Sequence, residues 1–374
     1  MRRLYAIVKK EFRQMRRDRL TLGQLILVPA MLLALYGYAL SFDVKHIAMG
    51  VVDYDRTPAS RLLLDSLFRN PYFDRVVDLD STDAADGVLT LGKVRAVLVI
   101  PRDYAKRLAR GQPAHLQALV DGADANSAVT TIGYLEAMAD RTTLQLRVQA
   151  LNRAGLPVAL PVVRPEPRIW FNPELNSAKF LVPGLIGMLL MLAAVIATSL
   201  SIVREKERET MEQIMVSPVH PAELIIGKTL PYVLVCCLTM VMVLVLGRVL
   251  FGVVVQGSYG LLALTTLVFL FAALSMGVLI STRTRSQHMA FEIAILTTLL
   301  PSLILSGLIF PIKNMPLPIQ GLSLLVIPRY FVAALRSIIL KGATFPMIWP
   351  NLLAMLALGL VFCLLAIRTT RKAI

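Results

Sequence analysis

The stretch AELIIGKTLPYVLVCCLTMVMVLVLGRVL, residues 222–250, admits two opposed readings. Its Gly227-Lys228-Thr229 ends as a phosphate-binding loop ends, which would make the chain a nucleotide-binding protein with its own ATP site. From Thr229 to Leu250 it is also apolar for the roughly 20 helical residues that cross a bilayer. The residues favour the second reading. A phosphate cradle turns successive backbone N–H groups inward, and β-branched side chains oppose that geometry. Here Ala222 takes the usual glycine position, and Ile225 and Ile226 fall inside the loop. A buried strand should lead into such a loop, but Ser217-Pro218-Val219-His220-Pro221 precedes it. No apolar strand ending in Asp-Glu, which would hold magnesium, occurs in the sequence. The stretch therefore reads as the entry to a membrane span, with Lys228 at the inner headgroup level.

Composition supports this reading. Of the 374 residues 56% are hydrophobic and 17% charged, against about 25% charged in soluble domains. Six apolar runs are long enough to span: 22–40, 180–203, 229–250, 261–281, 289–310 and 349–367. A further run, 322–340, is interrupted by Pro328, Arg329 and Arg336, with Lys341 just after it. Residues 311–348 are expected to form an outer loop with short re-entrant helices. The formal net charge of +15 is concentrated at the chain ends. Residues 1–20 hold eight Lys or Arg against Glu11 and Asp18, and the tail 368–374 holds Arg368, Arg371 and Lys372. Basic ends and a basic loop at Arg283–Arg285 orient both termini to the cytoplasm. They do not form the basic face that a nucleic acid needs, so no nucleic-acid partner is expected. Residues 1–21 read as an amphipathic helix on the inner bilayer surface, with Leu4, Ile7, Val8, Phe12 and Met15 at helical spacing.

Residues 41–179 are nearly balanced in charge, with 17 basic and 16 acidic residues, and lie between the first two spans. IAMGVVD (47–53), RAVLVI (95–100) and HLQALVD (115–121) read as strands. ASRLLLDSLF (59–68), PRDYAKRLARG (101–111) and 125–152 read as helices. Residues 160–171 are proline-rich and extended. The fold class expected is an α-helical polytopic membrane protein with six transmembrane helices and an inserted α/β extracytoplasmic domain. The acidic stretch 121–131 lacks the spacing of a calcium loop and reads as a strand end followed by a helix cap. The four histidines are scattered and the three cysteines lie in apolar runs, so no metal, cofactor or catalytic site is expected.

Ahead of the opening stretch lies IVREKERETMEQIMVS, residues 202–217. Met211, Ile214 and Met215 fall on one face of a short charged helix, ended by Pro218 and Pro221. On residues alone this is either a solvated loop or a docking surface for a cytoplasmic partner. The pattern resembles the signature of type-2 ABC exporter permeases, E-x-E-x-G-T-x-E-x-L-x-x-x-P. It reads here as Glu205, Glu207, Glu209, Thr210, Glu212, Ile214 and Pro218. Glu209 stands at the signature's glycine, and Ile214 at its leucine. VKKEFRQMRRDRLTLGQLILVPA (8–30), WFNPELNSAKFLVPG (170–184) and LSGLIFPIKNMP (305–316) resemble other parts of the same family, in the same order. The resemblance covers essentially the whole chain, and it points to the drug-export branch with a periplasmic domain after the first span.

That resemblance implies a non-catalytic permease subunit in a bacterial inner membrane. It implies export of an amphipathic or lipophilic substrate by alternating access, with ATP and magnesium bound by separate ABC ATPase subunits. A second permease, identical or similar, would pair with this one. By family analogy the outer domain's expected partner is a periplasmic adaptor protein, with a cap on the exit as the alternative reading. ATPase coupling falls to 204–218 (the 204–228 loop), carried by Arg204, Glu205, Glu207, Arg208, Glu209, Thr210, Met211, Glu212, Ile214, Met215 and Pro218. Lys10, Glu11, Arg17 and Asp18 form a second ATPase contact. Arg248 and Glu292 read either as pathway residues or as charges solvated at span ends. Competing readings are a membrane-anchored sensor or scaffold, and an exporter of lipid or glycan.

Overall fold

The computed structural model describes residues 2–39, 46–153, 170–172, 176–209 and 221–372. The chain divides into two units, residues 42–167 and the remainder.

The larger unit begins with α1 (Arg2–Arg17) and α2 (Arg19–Ala39). The 42–167 unit follows in sequence. Its central strands are β1 (Ile47–Asp53) and β3 (Ala96–Ile100), both parallel, with β2 (Phe73–Asp78) parallel at one edge and β4 (Gln117–Val120) antiparallel at the other. Strand alternation sends Ile47, Met49, Val51, Leu98 and Ile100 to one face. There they meet α3 (Pro58–Phe68), α5 (Tyr104–Ala109) and α6 (Ala125–Arg153). Val52, Val97 and Val99 point to the other face and pack with α4 (Asp83–Thr90). Near-continuous apolar runs in β1 and β3 are what a sheet covered on both sides requires. The second of this unit's helices read from sequence is shorter than its expected range of 101–111, because Asp103 precedes the first turn and Arg110 closes the last. The acidic stretch is a cap: Asp124 accepts from the Ser127 N–H at 3.3 Å as α6 starts.

The larger unit resumes with α7 (Ser177–Glu207), α8 (Pro221–Phe251), α9 (Tyr259–Arg283) and α10 (Gln287–Leu305). Two helices follow, α11 (Leu317–Ser323) and α12 (Ile327–Lys341), bent by 85° at the break between them, and α13 (Phe345–Lys372) ends the chain. Among the described residues α2, α7, α8, α9, α10 and α13 are long and apolar enough to cross a membrane. α7 is the buried centre: α2, α8, α9, α10 and α12 all pack against it. Gly277 of α9 lets that helix approach closely, since a Cβ there would lie 2.9 Å from the Val195 carbonyl oxygen. Phe269 and Phe331 stack with ring centroids 3.8 Å apart in the same core.

Of the helix ends that differ from the apolar runs, two have a visible cause. α8 starts at Pro221, eight positions before the run at Thr229, because proline suits a first helical turn and charge does not stop a helix. α10 stops at Leu305 rather than 310, where Gly307 takes a φ of 80°. The proline-rich residues 160–169 lie outside the described residues.

Candidate functional site

The letters Gly227-Lys228-Thr229 sit inside α8, with their N–H groups committed to a helix rather than to a cradle. Gly227 has a packing role. A Cβ there would lie 2.7 Å from Ile7 Cγ2, so the missing side chain lets α1 lie against α8. Lys228 is 2% exposed, covered by the chain itself. Its Nζ lies 3.1 Å from Glu11 Oε1 and 2.9 Å from Glu205 Oε2. Lys10 Nζ closes the set at 2.6 Å from Glu205 Oε1. Two lysines and two glutamates are mutually neutralised, which is the condition for burying charge. Lys10 keeps its side chain half exposed, while Glu11 and Glu205 are buried.

The last turn of α7 spends four successive charged side chains on four different attachments. Arg204 Nη1 pairs with Asp18 Oδ2 at 2.8 Å, at the junction of α1 and α2, and its Nε donates to Gln287 Oε1 at 3.3 Å. Glu205 enters the buried quartet with α1 and α8. Lys206 Nζ donates to the Ser281 carbonyl and, at 3.5 Å, to that of Thr284, so a cation sits on the C-terminal carbonyls of α9. Glu207 accepts from the Gln287 backbone N–H at 2.6 Å and from its side-chain amide, placing an anion at the N-terminus of α10. A helical turn puts successive side chains about 100° apart, which is why one turn can reach so many neighbours.

Arg208 closes α7, and Glu209 follows with a φ of 55°. This is the left-handed conformation that glycine adopts most readily, at the position where the resembled signature has glycine. The backbone bend is present without the glycine. Thr210, Met211, Glu212, Ile214, Met215 and Pro218 lie outside the described residues.

The other candidates separate. Lys10, Glu11 and Asp18 turn into the contacts above, and Arg17 is exposed. Phe12 sits off the face of α1 that Leu4, Ile7, Val8 and Met15 direct inward. Arg248 is exposed near the far end of α8, whereas Glu292 is exposed in the first turns of α10, 3.1 Å from His288. The structure does not bring Arg248 and Glu292 together. Sequence reading missed Lys228, Lys206 and Gln287 as partners. The available signal was charge balance: Glu11 interrupts the apolar face of α1, and a lysine opens an apolar run.

Residues 20–368 match the profile of the ABC-2 family transporter proteins. The chain is 31% identical over 364 residues, 96% of its length and 94% of the relative's, to a protein of Escherichia coli (strain K12) named "Probable multidrug ABC transporter permease YbhS". It is 29% identical over 356 residues, 95% of each chain, to "Probable multidrug ABC transporter permease YbhR" of the same strain. It is 28% identical over 381 residues, 100% of this chain and 98% of the relative, to that strain's "Inner membrane transport permease YhhJ".

Proposed function

The chain belongs to the ABC-2 family of transporter proteins and is a multi-pass membrane permease; on that premise we propose that it is the driven half of an ATP-powered exporter. A separate ABC ATPase binds ATP and magnesium, and a second permease completes the translocation unit. The cargo class is amphipathic or lipophilic and drug-like, in keeping with the names of two relatives. The termini face the cytoplasm of a bacterial inner membrane, and the 42–167 unit lies on the periplasmic side, where an adaptor protein is its proposed partner.

The observation that carries this reading is the last turn of α7. Residues 204–207 are tied to α1, α8, α9 and α10, and the chain leaves that turn directly into residues 210–218. A push on 210–218 would therefore reach α1, α8, α9 and α10 together rather than α7 alone. That is how nucleotide-driven closure at an ATPase would shift a permease between inward-open and outward-open states, provided the ATPase contacts differ between the two.

The test is ATP hydrolysis in lipid nanodiscs, by the chain alone and with its candidate ATPase. The expected result is no hydrolysis by the chain alone, and ATPase stimulation that Glu212→Ala and Glu207→Ala reduce. Hydrolysis by the purified chain alone would overturn the reading. So would full stimulation of the ATPase by a chain carrying both substitutions.

A further inference from the structure

The 42–167 unit carries a cavity that the transport reading does not use. It has a volume of about 670 Å³ and lies between the end of α3, the turn into β2 and one face of α6. Drug-sized ligands occupy pockets of roughly 300–1,000 Å³. Arg69 and Arg141 both line it. Among the described residues neither guanidinium has an ion-pair or hydrogen-bonded partner. Tyr72 and Tyr134 form its aromatic wall, stacked with ring centroids 4.5 Å apart and an interplanar angle of 25°. Asn70 and Gln145 add side-chain amides.

A second cavity of about 300 Å³ shares Ser66, Arg69, Thr142 and Gln145 with the first, so the two adjoin. Its remaining lining differs in character, with Leu62, Leu63, Leu108 and Leu146 prominent. Leu62 is 70% exposed. Asp65 also lines this second cavity, which makes it a poor place for an anion. The acids of α6, Glu136 and Asp140, line neither cavity. At 100° per residue they fall on the side of the helix opposite Tyr134, Met138, Arg141 and Gln145.

We propose that this paired cavity binds an anionic amphiphile: an aromatic or aliphatic body carrying one sulfonate, carboxylate or phosphate. The head sits between Arg69 and Arg141, whose planar forks match such oxyanions. The body lies along the tyrosine pair or extends into the leucine-lined cavity. The two arginines and the apolar lining occur side by side, and together they select against inorganic anions and against neutral hydrophobes.

The experiment uses the full chain in zwitterionic nanodiscs, with empty nanodiscs as reference, and equilibrium dialysis of 2-naphthalenesulfonate. Sulfate alone, 2-naphthalenemethanol and 2-naphthylmethylammonium are the comparison probes. Saturable binding of the sulfonate is expected, weakened about tenfold by Arg69→Gln or by Arg141→Gln, the scale of one lost charge-assisted contact. The double variant should abolish it, Arg69→Lys should retain part of it, and Tyr134→Leu should weaken it. Both arginines are exposed, and unchanged thermal unfolding of the variants would show that folding is intact. Equal affinity for the neutral alcohol would overturn the proposal. So would unchanged sulfonate binding in the double variant, preferential binding of the ammonium probe, or no saturable sulfonate binding up to millimolar concentration.

Discussion

Lys228 Nζ lies 3.1 Å from Glu11 Oε1, with both side chains 3% exposed and a sequence separation of 217. The pair fastens the N-terminal helix to the start of α8. It also explains why a charged residue is tolerated on the packed face of α1. Glu11 is the countercharge of a buried lysine.

Removing one member of this pair should therefore damage the fold more than removing both. Lys228→Met leaves Glu11 and Glu205 buried with only Lys10 to balance them, and a destabilisation of about 3–5 kcal/mol is expected. Glu11→Gln should fall in the same range. The double variant Glu11→Gln/Lys228→Met keeps the neutral Lys10–Glu205 pair, and should be less destabilised than either single variant, far short of the sum of the single effects. Thermal unfolding in detergent for the four proteins measures this. Strict additivity would mean that the two residues do not interact.

The bend after α7 gives a second prediction, with the opposite sign. Glu209 holds a φ of 55°, which disfavours a residue with a side chain by about 1 kcal/mol relative to glycine. Glu209→Gly should raise stability slightly and leave ATPase stimulation at or above the parent level. Glu209→Val, β-branched and poorly suited to this conformation, should lower both. If glycine proves harmful and valine harmless, the Glu209 carboxylate matters rather than the bend.

A third prediction concerns the anion at the start of α10. Glu207 accepts two hydrogen bonds from Gln287, and the Ser286 side chain caps the same helix from the Met289 N–H. Because Ser286 retains its own cap, Glu207→Ala should leave α10 folded, with unfolding temperature nearly unchanged. Its effect should appear instead as weaker stimulation of the ATPase. Gln287→Ala should give a milder version, since the backbone N–H remains available to Glu207. A large fall in unfolding temperature for Glu207→Ala would make the contact structural rather than part of a coupling path.

What the sequence disclosed follows from how each feature encodes itself. The spans and the strands β1, β3 and β4 are legible because continuous apolar runs and proline or acidic breaks mark them. β2 was missed: only Phe73 of FDRVVD is buried, and Asp74, Arg75 and Val76 face solvent, as befits an edge strand. α4 was missed because its sequence, DAADGVLT, offers a single fully buried residue, Ala85. The charges at 204–207 were legible as a cluster, but not as four separate attachments. Their partners lie 23 to 195 positions away, and helix packing alone decides which of them meet. The covering of Lys228 by α1 went unread for the same reason, since span length says nothing about what covers a span's first turn.

Arg336 marks the opposite case, a charge on an apolar helix that the fold surrounds with carbonyl oxygens. Its Nη1 donates to the Gly307 carbonyl at 2.7 Å, its Nη2 to that of Leu308 at 3.0 Å and its Nε to that of Phe180 at 3.2 Å. The guanidinium also stacks 3.6 Å from the centroid of the Phe180 ring. One side chain thus ties together the start of α7, the end of α10 and α12. The carbonyls it serves lie at the first turn of α7 and beyond the last turn of α10. Lysine carries the charge but not the planar fork. Arg336→Lys should therefore retain only part of the stability, and Arg336→Met should lose about 2–4 kcal/mol as several carbonyls are left without a donor. Limited proteolysis at the α10–α11 connection should accelerate in the same order. Equal unfolding temperatures for parent, lysine and methionine variants would show that water or lipid headgroups replace the guanidinium, and that these three helices are held by packing alone.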